Sequence, residues 1–190
     1  MKFYHFNAPG PYFTNTFVII SEAGNAAIVD ACAAPERYQK ILEENGTALR
    51  MILQTHGHSD HTGAIEPLRE ATGATVYLNR ADAAQFGIRA DQDLTDGEKI
   101  SLDELTFEVI TTPGHTPGSV CIRLGDLLFT GDTLFAGDIG RTDLAGGSYP
   151  EICASLKKLL ARVEDNPKVL PGHEEFSTFE TERQTNPYLR

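Results

Sequence analysis

Residues 56–61 read His56-Gly57-His58-Ser59-Asp60-His61 and hold three imidazoles and one carboxylate within six positions. Imidazole and carboxylate groups are ligands for transition metals such as zinc. On an extended strand, side chains two positions apart lie on the same side, whereas adjacent side chains diverge. At a strand end that runs into a turn, His56 and His58 can be aimed at one point, and Asp60 and His61 at a neighbouring one. This spacing favours two metal ions a few ångströms apart over a single ion, and over a loop that is merely rich in histidine.

Three more candidate ligands follow apolar strands elsewhere in the chain. His56 follows the segment MILQT, and the segments FEVITTPG, LLFTG and KVLPG precede His115, Asp132 and His173. Strands that end at one edge of a sheet bring the residues after them to a common site. Five of the six histidines occupy such positions, and only His5 does not, so we interpret His5 as an ordinary surface or core residue. The sequence therefore predicts one metal centre built at several strand ends.

Length, composition and charge predict one globular domain that spans residues 1–190. The chain has 190 residues, of which 41% are hydrophobic and 23% are charged, so it is long enough for a substantial core. The formal net charge of −11 argues against a nucleic-acid partner. The longest apolar runs are shorter than a membrane span, so no membrane partner is expected either. The sequence indicates no particular oligomeric state.

The N-terminus and the cysteines indicate the compartment. Residues 1–6 lack the apolar segment and cleavage site of a signal peptide, so we expect a cytoplasmic protein. Cys32, Cys121 and Cys153 are too few and too far apart for a disulfide framework, and none has a second cysteine at metal-finger spacing. We expect these cysteines to be small buried apolar residues.

The hydrophobic pattern predicts short strands that alternate with helices. Strands are expected at residues 16–20, 26–29, 50–55, 75–78, 105–111, 119–124, 127–130 and 169–170, with a hairpin turn at Gly125-Asp126. Helices are expected at residues 35–45, 62–71 and 150–163. Ser177 and Glu180 form a capping-box pattern for a last helix that ends before Pro187. Residues 81–97 are interpreted as a short helix followed by a surface loop.

Four motifs resemble those of a known family. The runs THGHSDH, PGHTPGS, FTGDTLFAGDIGRTD and LPGH are similar to motifs of the metallo-β-lactamase superfamily, and within it to the short bacterial form of glyoxalase II, the hydroxyacylglutathione hydrolases. The resemblance covers nearly the whole chain in order. It implies an α+β fold, a four-layer αββα sandwich of two β-rich halves with helices outside and the metal site at one edge of the two sheets.

The resemblance also implies a set of ligands and a reaction. A first ion would be held by His56, His58 and His115, a second ion by Asp60, His61 and His173, and Asp132 would bridge both ions together with a water or hydroxide. Two divalent ions are expected, zinc by default, with iron or manganese as alternatives. Such ions lower the pKa of a shared water and polarise a carbonyl, so a bridging hydroxide can attack a thioester. Asp60 and Asp132 are the expected catalytic carboxylates.

Two further residues near the ligands have expected roles. Asp30, which ends the strand AAIV, is interpreted as a hydrogen-bond partner of a ligand histidine, with an ordinary turn aspartate as the alternative. Ser59 is interpreted as a spacer, because no base for a serine nucleophile stands outside the ligands.

The substrate implied by the resemblance is S-D-lactoylglutathione, hydrolysed to D-lactate and glutathione in methylglyoxal detoxification. Larger family members carry a helical C-terminal region with basic groups for glutathione, but here only 17 residues follow His173. Arg141 and Asp143 stand where those members carry a lysine and a tyrosine. Arg141 is therefore the expected substrate-binding residue, through a bidentate pair with a carboxylate, and a plain surface arginine is the alternative. Asp143 cannot replace the tyrosine.

Other functions remain open at the level of the sequence. Persulfide dioxygenases resemble the chain in the same stretches, including GRTD, and use one iron at the positions of His56, His115 and Asp132, which is a facial-triad pattern. Hydrolases of other esters or of lactones share the superfamily motifs. A non-catalytic metal-binding module is disfavoured, because structural zinc sites are closed and use four ligands.

Overall fold

Two β-sheets form the centre of the computed structural model, which describes residues 1–10 and 12–189. The first sheet has five strands in the order β1 to β5: β1 (Lys2–Asn7), β2 (Asn15–Ile20), β3 (Asn25–Val29), β4 (Ala48–Leu53) and β5 (Thr75–Tyr77). Strands β1 to β3 are antiparallel, and β3 to β5 are parallel. The carboxyl ends of β3 and β4 therefore meet at one edge of this sheet.

The second sheet has six strands, which include β6 (Lys99–Leu102), β7 (Leu105–Thr111), β8 (Val120–Leu124) and β9 (Leu127–Gly131) as an antiparallel meander. A small ribbon of β10 (Leu134–Phe135) and β11 (Asp138–Ile139) follows. The sheet is completed by β12 (Lys168–Pro171), which is parallel to β9, and by β13 (Ser177–Thr178), which is antiparallel to β12. The ends of β9 and β12 thus lie side by side.

The described part of the chain also contains six α-helices. They are α1 (Pro35–Asn45), α2 (Ser59–Thr62), α3 (Ile65–Thr72), α4 (Arg80–Phe86), α5 (Tyr149–Arg162) and α6 (Phe179–Thr185), and a short 3₁₀ turn spans Pro187–Leu189. Among the described residues, no helix has both the length and the apolar character needed to cross a membrane.

Three apolar clusters hold these layers together. The cluster between the sheets includes Phe17, Phe107 and Phe129, which alternate with outward-facing residues along their strands. A second cluster packs α1 and α3 on the outside of the first sheet, and a third packs α5 and α6 on the outside of the second. The order helix, sheet, sheet, helix confirms the expected four-layer α+β sandwich.

Several local predictions need correction. Strand β1 was not expected, because its residues alternate only between exposed and half-buried at the sheet edge and leave a weak apolar pattern. Strand β6 was also missed. The helix expected at residues 62–71 is divided into α2 and α3, which places Pro67 within the first turn of α3, where it is tolerated. The last helix is capped by Thr178, which accepts from the Thr181 backbone N–H, and not by Ser177.

The cysteine prediction is right for one residue. Cys121 is fully buried, whereas Cys32 and Cys153 are only half-buried, and all three are free. Cys32 lies in the loop between β3 and α1, and Cys153 lies on α5.

The hydroxyl of Tyr38 joins α1 to the loop that follows β3. It is fully buried and accepts from the backbone N–H groups of Cys32 and Ala33, both at 3.0 Å, and it shares a hydrogen bond with Thr16 Oγ1 at 2.8 Å. This loop begins at Asp30, so the tyrosine fixes the backbone beside the predicted metal centre.

We predict that Tyr38→Phe destabilises the protein, because two buried backbone N–H groups lose their acceptor. The expected loss is about 1–3 kcal/mol in the free energy of unfolding. Urea denaturation of the variant and of the exposed control Tyr188→Phe measures it, since Tyr188 is 41% exposed and its loss should cost far less. Equal midpoints for the two variants would contradict the role given to the buried hydroxyl.

Candidate metal centre

The seven candidate ligands lie together at one edge of the sandwich. His56 and His58 follow β4, and α2 carries Asp60 and His61 directly after them. From the second sheet, His115 follows β7, Asp132 follows β9 and His173 follows β12. Every strand end that the sequence marked with a ligand therefore contributes to this edge.

The first ligand group consists of His56, His58 and His115, whose ligand nitrogens lie within 4.8 Å of one another. His58 Nδ1 is 2.8 Å from His115 Nε2. His56 Nε2 is buried, and the described part of the chain offers it no hydrogen-bond partner. A buried ring nitrogen without a partner costs free energy unless something binds it, so this group fits a metal ion.

The second ligand group consists of Asp60, His61 and His173, again within 4.8 Å of one another. His61 Nε2 is 3.2 Å from His173 Nε2, and His173 Nε2 is 3.4 Å from Asp60 Oδ2. Two imidazole nitrogens and one carboxylate oxygen are a donor set that suits zinc, iron or manganese.

The carboxylate of Asp132 lies between the two groups. Its Oδ2 is 3.4 Å from His115 Nε2 in the first group and 3.4 Å from His173 Nε2 in the second. Its Oδ1 is 3.3 Å from His61 Nε2, and it is buried with no hydrogen-bond partner among the described residues. One side chain thus faces both groups, which is the position that a bridging ligand needs.

Most of the ligand histidines also have a hydrogen-bond partner on the side away from the centre. In each of three histidines, Nδ1 points away from the centre and has a hydrogen-bond partner. His56 Nδ1 is 3.1 Å from Thr55 Oγ1, and His115 Nδ1 is 2.8 Å from the Arg141 carbonyl oxygen. His173 Nδ1 is 2.9 Å from the Tyr12 carbonyl oxygen. Such contacts fix the tautomer and leave Nε2 free to bind a metal.

Asp30 is the corresponding hydrogen-bond partner of His61. Its Oδ2 is 3.0 Å from His61 Nδ1 and accepts from Thr55 Oγ1 at 2.8 Å, and its Oδ1 accepts from the Thr55 backbone N–H at 2.7 Å. The expected hydrogen bond between Asp30 and a ligand histidine is therefore confirmed. The residue adopts a positive φ of 53°, a conformation that aspartate tolerates better than most residues.

Glycines let the backbone approach Asp132 closely. A Cβ at Gly172 would meet the Asp132 carboxylate and the His61 ring, and a Cβ at Gly140 would meet the Asp132 carbonyl. No larger residue fits at these two positions without moving a ligand.

A sequence model of the metallo-beta-lactamase superfamily matches residues 9–173, a range that holds all seven candidate ligands. The chain belongs to the metallo-β-lactamase superfamily. Among curated relatives, the hydroxyacylglutathione hydrolase GloC of Haemophilus influenzae is 34% identical over 92% of this chain and 92% of its own. The likeness to the glyoxalase II group is thus supported beyond the motifs.

Solved structures share the fold over nearly the whole of this chain. ETHE1 from Myxococcus xanthus matches with a TM-score of 0.90 at 32% identity, over 98% of this chain and 84% of that chain. BLEG-1 B3 metallo-beta-lactamase matches at 0.87 and 31%, over 99% of both chains. TTHA1623 in a di-iron-bound form matches at 0.81 and 33%, over 97% of this chain and 100% of that one.

Arg141 lies beside the centre but is held by a neighbour. Its Nε and one terminal nitrogen donate to the two oxygens of Asp143, both at 2.7 Å, and both side chains are exposed. Hydrogen bonding to Asp143 raises the pKa of Arg141, and the same pair lowers the pKa of Asp143 to about 2. Ser59 is exposed as the first residue of α2, which fits a spacer.

Sequence reasoning missed the residues that organise the loops. Gln54 accepts from the Ala31 backbone N–H and donates to the His61 carbonyl, both at 2.8 Å. Asp82 on α4 binds two of the ligand loops. Neither residue stands in a local motif, and only the tertiary packing shows what each one contacts.

Four histidines of the site have pKa values that are shifted in opposite directions. In the first group, burial lowers the pKa of His56 well below its usual value, and burial beside His115 lowers that of His58. In the second group, burial would lower the pKa values of the histidines, but the attraction of nearby carboxylates outweighs this effect. Asp132 and Asp30 raise the pKa of His61 to about 10, and Asp132 and Asp60 raise that of His173 to about 10.

The carboxylates shift in the complementary direction. Burial would raise the pKa of Asp132, but His61, His173 and His56 hold it well below its usual range. His173 and His61 likewise overcome burial and lower the pKa of Asp60. Protons on His61 and His173 thus balance the two carboxylates before an ion binds, and an ion in the second group has to displace them.

We predict that Zn²⁺ binding to the second group is more dependent on pH than binding to the first. Because the pKa values of His61 and His173 are raised to about 10, these histidines hold protons throughout the neutral range. Affinity should therefore rise with pH by up to about tenfold per unit for each displaced proton. In the first group, the pKa values of His56 and His58 are lowered, so these two rings release few protons and the affinity should respond less to pH.

Calorimetric titration of metal-free variants with Zn²⁺ measures this difference. His58→Ala leaves the second group intact, and His173→Ala leaves the first. Titrations in two buffers of different ionisation enthalpy count the protons released. Equal proton release by the two variants would contradict the assignment.

Proposed function

We propose that this protein is a thioester hydrolase with a two-metal centre. The observation that carries the proposal is the Asp132 carboxylate, which lies 3.4 Å from a histidine of each complete ligand group. A structural zinc site needs only four ligands and no shared carboxylate. Two adjoining groups with a common carboxylate are an arrangement for catalysis.

Two divalent ions are proposed, with zinc as the default and iron or manganese as alternatives. The first would bind His56, His58 and His115, the second Asp60, His61 and His173, and Asp132 would contact both. The resemblance to TTHA1623 in a di-iron-bound form supports two ions and keeps iron among the alternatives. When bound, such ions lower the pKa of a shared water and polarise a carbonyl.

The residues of the chain supply position and charge for this reaction. Asp132 sets the separation of the two groups, and Asp60 adds negative charge that balances the second group. The nearest thiol does not compete as a nucleophile, because burial and the charge of Asp30 raise the pKa of Cys32 to about 12. Cys32 and Asp60 line a cavity of about 90 Å³, together with Tyr12 and Phe13. This cavity offers space for part of a substrate beside the second group.

The proposed substrate is S-D-lactoylglutathione, cleaved to D-lactate and glutathione in methylglyoxal detoxification. The name of the Haemophilus influenzae relative, hydroxyacylglutathione hydrolase, supports this choice at 34% identity. Arg141 is the proposed contact for a glutathione carboxylate. Because its pair with Asp143 is exposed to water and therefore weak, a substrate carboxylate can take the place of Asp143. A cytoplasmic location remains a prediction from the sequence.

A mononuclear iron persulfide dioxygenase is the second candidate. The likeness to ETHE1 from Myxococcus xanthus, with a TM-score of 0.90, favours it, and the proposed triad of His56, His115 and Asp132 is present. The second ligand group argues for the hydrolase, because a single iron at the triad would leave Asp60, His61 and His173 unused.

We predict that His56→Ala, His58→Ala and Asp132→Ala all abolish thioester hydrolysis to a similar degree, since each removes a ligand of the two-metal centre. The loss should exceed the roughly 10- to 100-fold cost of removing an outer hydrogen-bond partner. Hydrolysis of S-D-lactoylglutathione and persulfide-dependent oxygen uptake are both measured. His5→Ala, which removes the histidine outside the centre, serves as the control. Oxygen uptake that survives His58→Ala but not His56→Ala would identify the dioxygenase instead.

We predict that Arg141→Ala raises KM for S-D-lactoylglutathione and changes kcat much less. Loss of a charged hydrogen-bonding contact should lower kcat/KM by roughly ten- to a hundredfold. A small neutral thioester should be hydrolysed as before. Arg80→Ala is the matched control, because Arg80 is another exposed arginine paired with an aspartate, Asp93. An unchanged KM for the glutathione thioester would show that Arg141 is a surface residue only.

A further inference from the structure

Asp82 is a buried carboxylate that the proposed reaction does not use. It lies on α4 and is 0% exposed. Its Oδ2 accepts from the Gly57 backbone N–H at 2.8 Å and from Thr116 Oγ1 at 2.7 Å, and its Oδ1 accepts from the Gly118 backbone N–H at 2.6 Å. Burying a carboxylate is costly unless it is hydrogen-bonded, so these three donors are what keep it in place.

The three donors belong to the two loops that carry the first ligand group. Gly57 stands between His56 and His58, and Thr116 directly follows His115. The side-chain hydrogen bonds of Asp82 within the described part of the chain all go to these loops. The outer partners of the second group are different: Asp30 for His61 and the Tyr12 carbonyl for His173.

The contact between α4 and these loops is tight. A Cβ at Gly118 would lie 2.6 Å from Asp82 Oδ1, and a Cβ at Gly57 would collide with the Phe86 ring on the same helix. Phe86 also packs edge-on against the His58 ring, with ring centroids 5.1 Å apart. Since packed backbone does not yield freely, a small shift of α4 would be passed to His58 and His115.

We propose that Asp82 is a positioning residue for the first metal ion: it fixes the loops of His56, His58 and His115 and leaves the second ligand group unaffected. The inference rests on the two-metal centre of the proposed function, but not on its substrate. Asp82 contacts the loops of the first group, whereas Asp30 hydrogen-bonds His61 of the second group directly and reaches His56 only through Thr55.

Three variants disturb this contact in different ways. Asp82→Asn is nearly the same size, but its amide nitrogen cannot accept, so it loses either the Gly118 bond or the bonds to Gly57 and Thr116. Gly118→Ala adds a Cβ that would lie 2.6 Å from Asp82 Oδ1 and so displaces the Asp82 carboxylate. Thr116→Val removes one donor to Asp82, together with the hydrogen bond between Thr116 Oγ1 and Ser119 Oγ at 2.7 Å. Asp93→Asn is the matched control, because Asp93 also accepts a backbone N–H near the start of α4, from Arg80 at 2.7 Å, but does not contact the ligand loops.

The test measures Zn²⁺ affinity by competition with a chromophoric chelator in two backgrounds. In His173→Ala, which keeps the first group, Asp82→Asn should weaken Zn²⁺ binding by roughly 10- to 100-fold. In His58→Ala, which keeps the second group, the affinity should stay within about twofold, as for independent sites. Asp93→Asn should change neither value.

Equal weakening in both backgrounds would show that Asp82 supports only the fold, and no weakening in the first background would show that it supports neither. Either result overturns the proposal. If Asp82→Asn does not fold, Gly118→Ala and Thr116→Val are judged by the same comparison. Because Zn²⁺ alone is the probe, failure of the thioesterase assignment would leave this result unchanged.

Discussion

The close approach of one carboxylate to two groups of imidazoles is the constraint on which the rest of the site depends. Asp132 lies within 3.4 Å of His61, His115 and His173, and its burial would be prohibitive without the compensating charge of His61 and His173. Burial lowers the pKa values of His56 and His58, whereas the neighbouring carboxylates raise those of His61 and His173, so these two pairs of rings differ in how readily they hold protons. Two cations, one in each ligand group, would satisfy the ligands of both groups at once.

The arrangement of strands in the sandwich brings the two groups of imidazoles close to the Asp132 carboxylate. Asp132 follows β9, whose parallel neighbour β12 delivers His173, while the first sheet delivers the His56 to His61 segment from across the core. Two glycines, Gly140 and Gly172, allow the backbone to come close to the carboxylate. The apolar cluster between the sheets holds the two edges together, and each ligand group therefore combines residues from both sheets.

The parts of the fold and site that were predictable are those written in local sequence. Apolar runs that end in a histidine or aspartate identify β4, β7, β9 and β12 and all seven candidate ligands, since each such signal is complete within a few residues. Apart from Asp30, the residues that support the ligand loops were not predictable. Asp82 acts through loops that are distant in sequence, Arg141 meets Asp143 only in the folded chain, and β1 pairs at an exposed edge where alternation is weak.

Simultaneous contact of Asp132 with two ions is the central feature of the proposed site. Anomalous diffraction from crystals of the metal-loaded protein, measured at the absorption edge of the bound metal, tests this most directly. We predict two peaks, one surrounded by His56, His58 and His115 and the other by Asp60, His61 and His173, with an oxygen of Asp132 at each. A single peak at His56, His115 and Asp132, with the second group empty at full loading, would contradict the two-metal hydrolase.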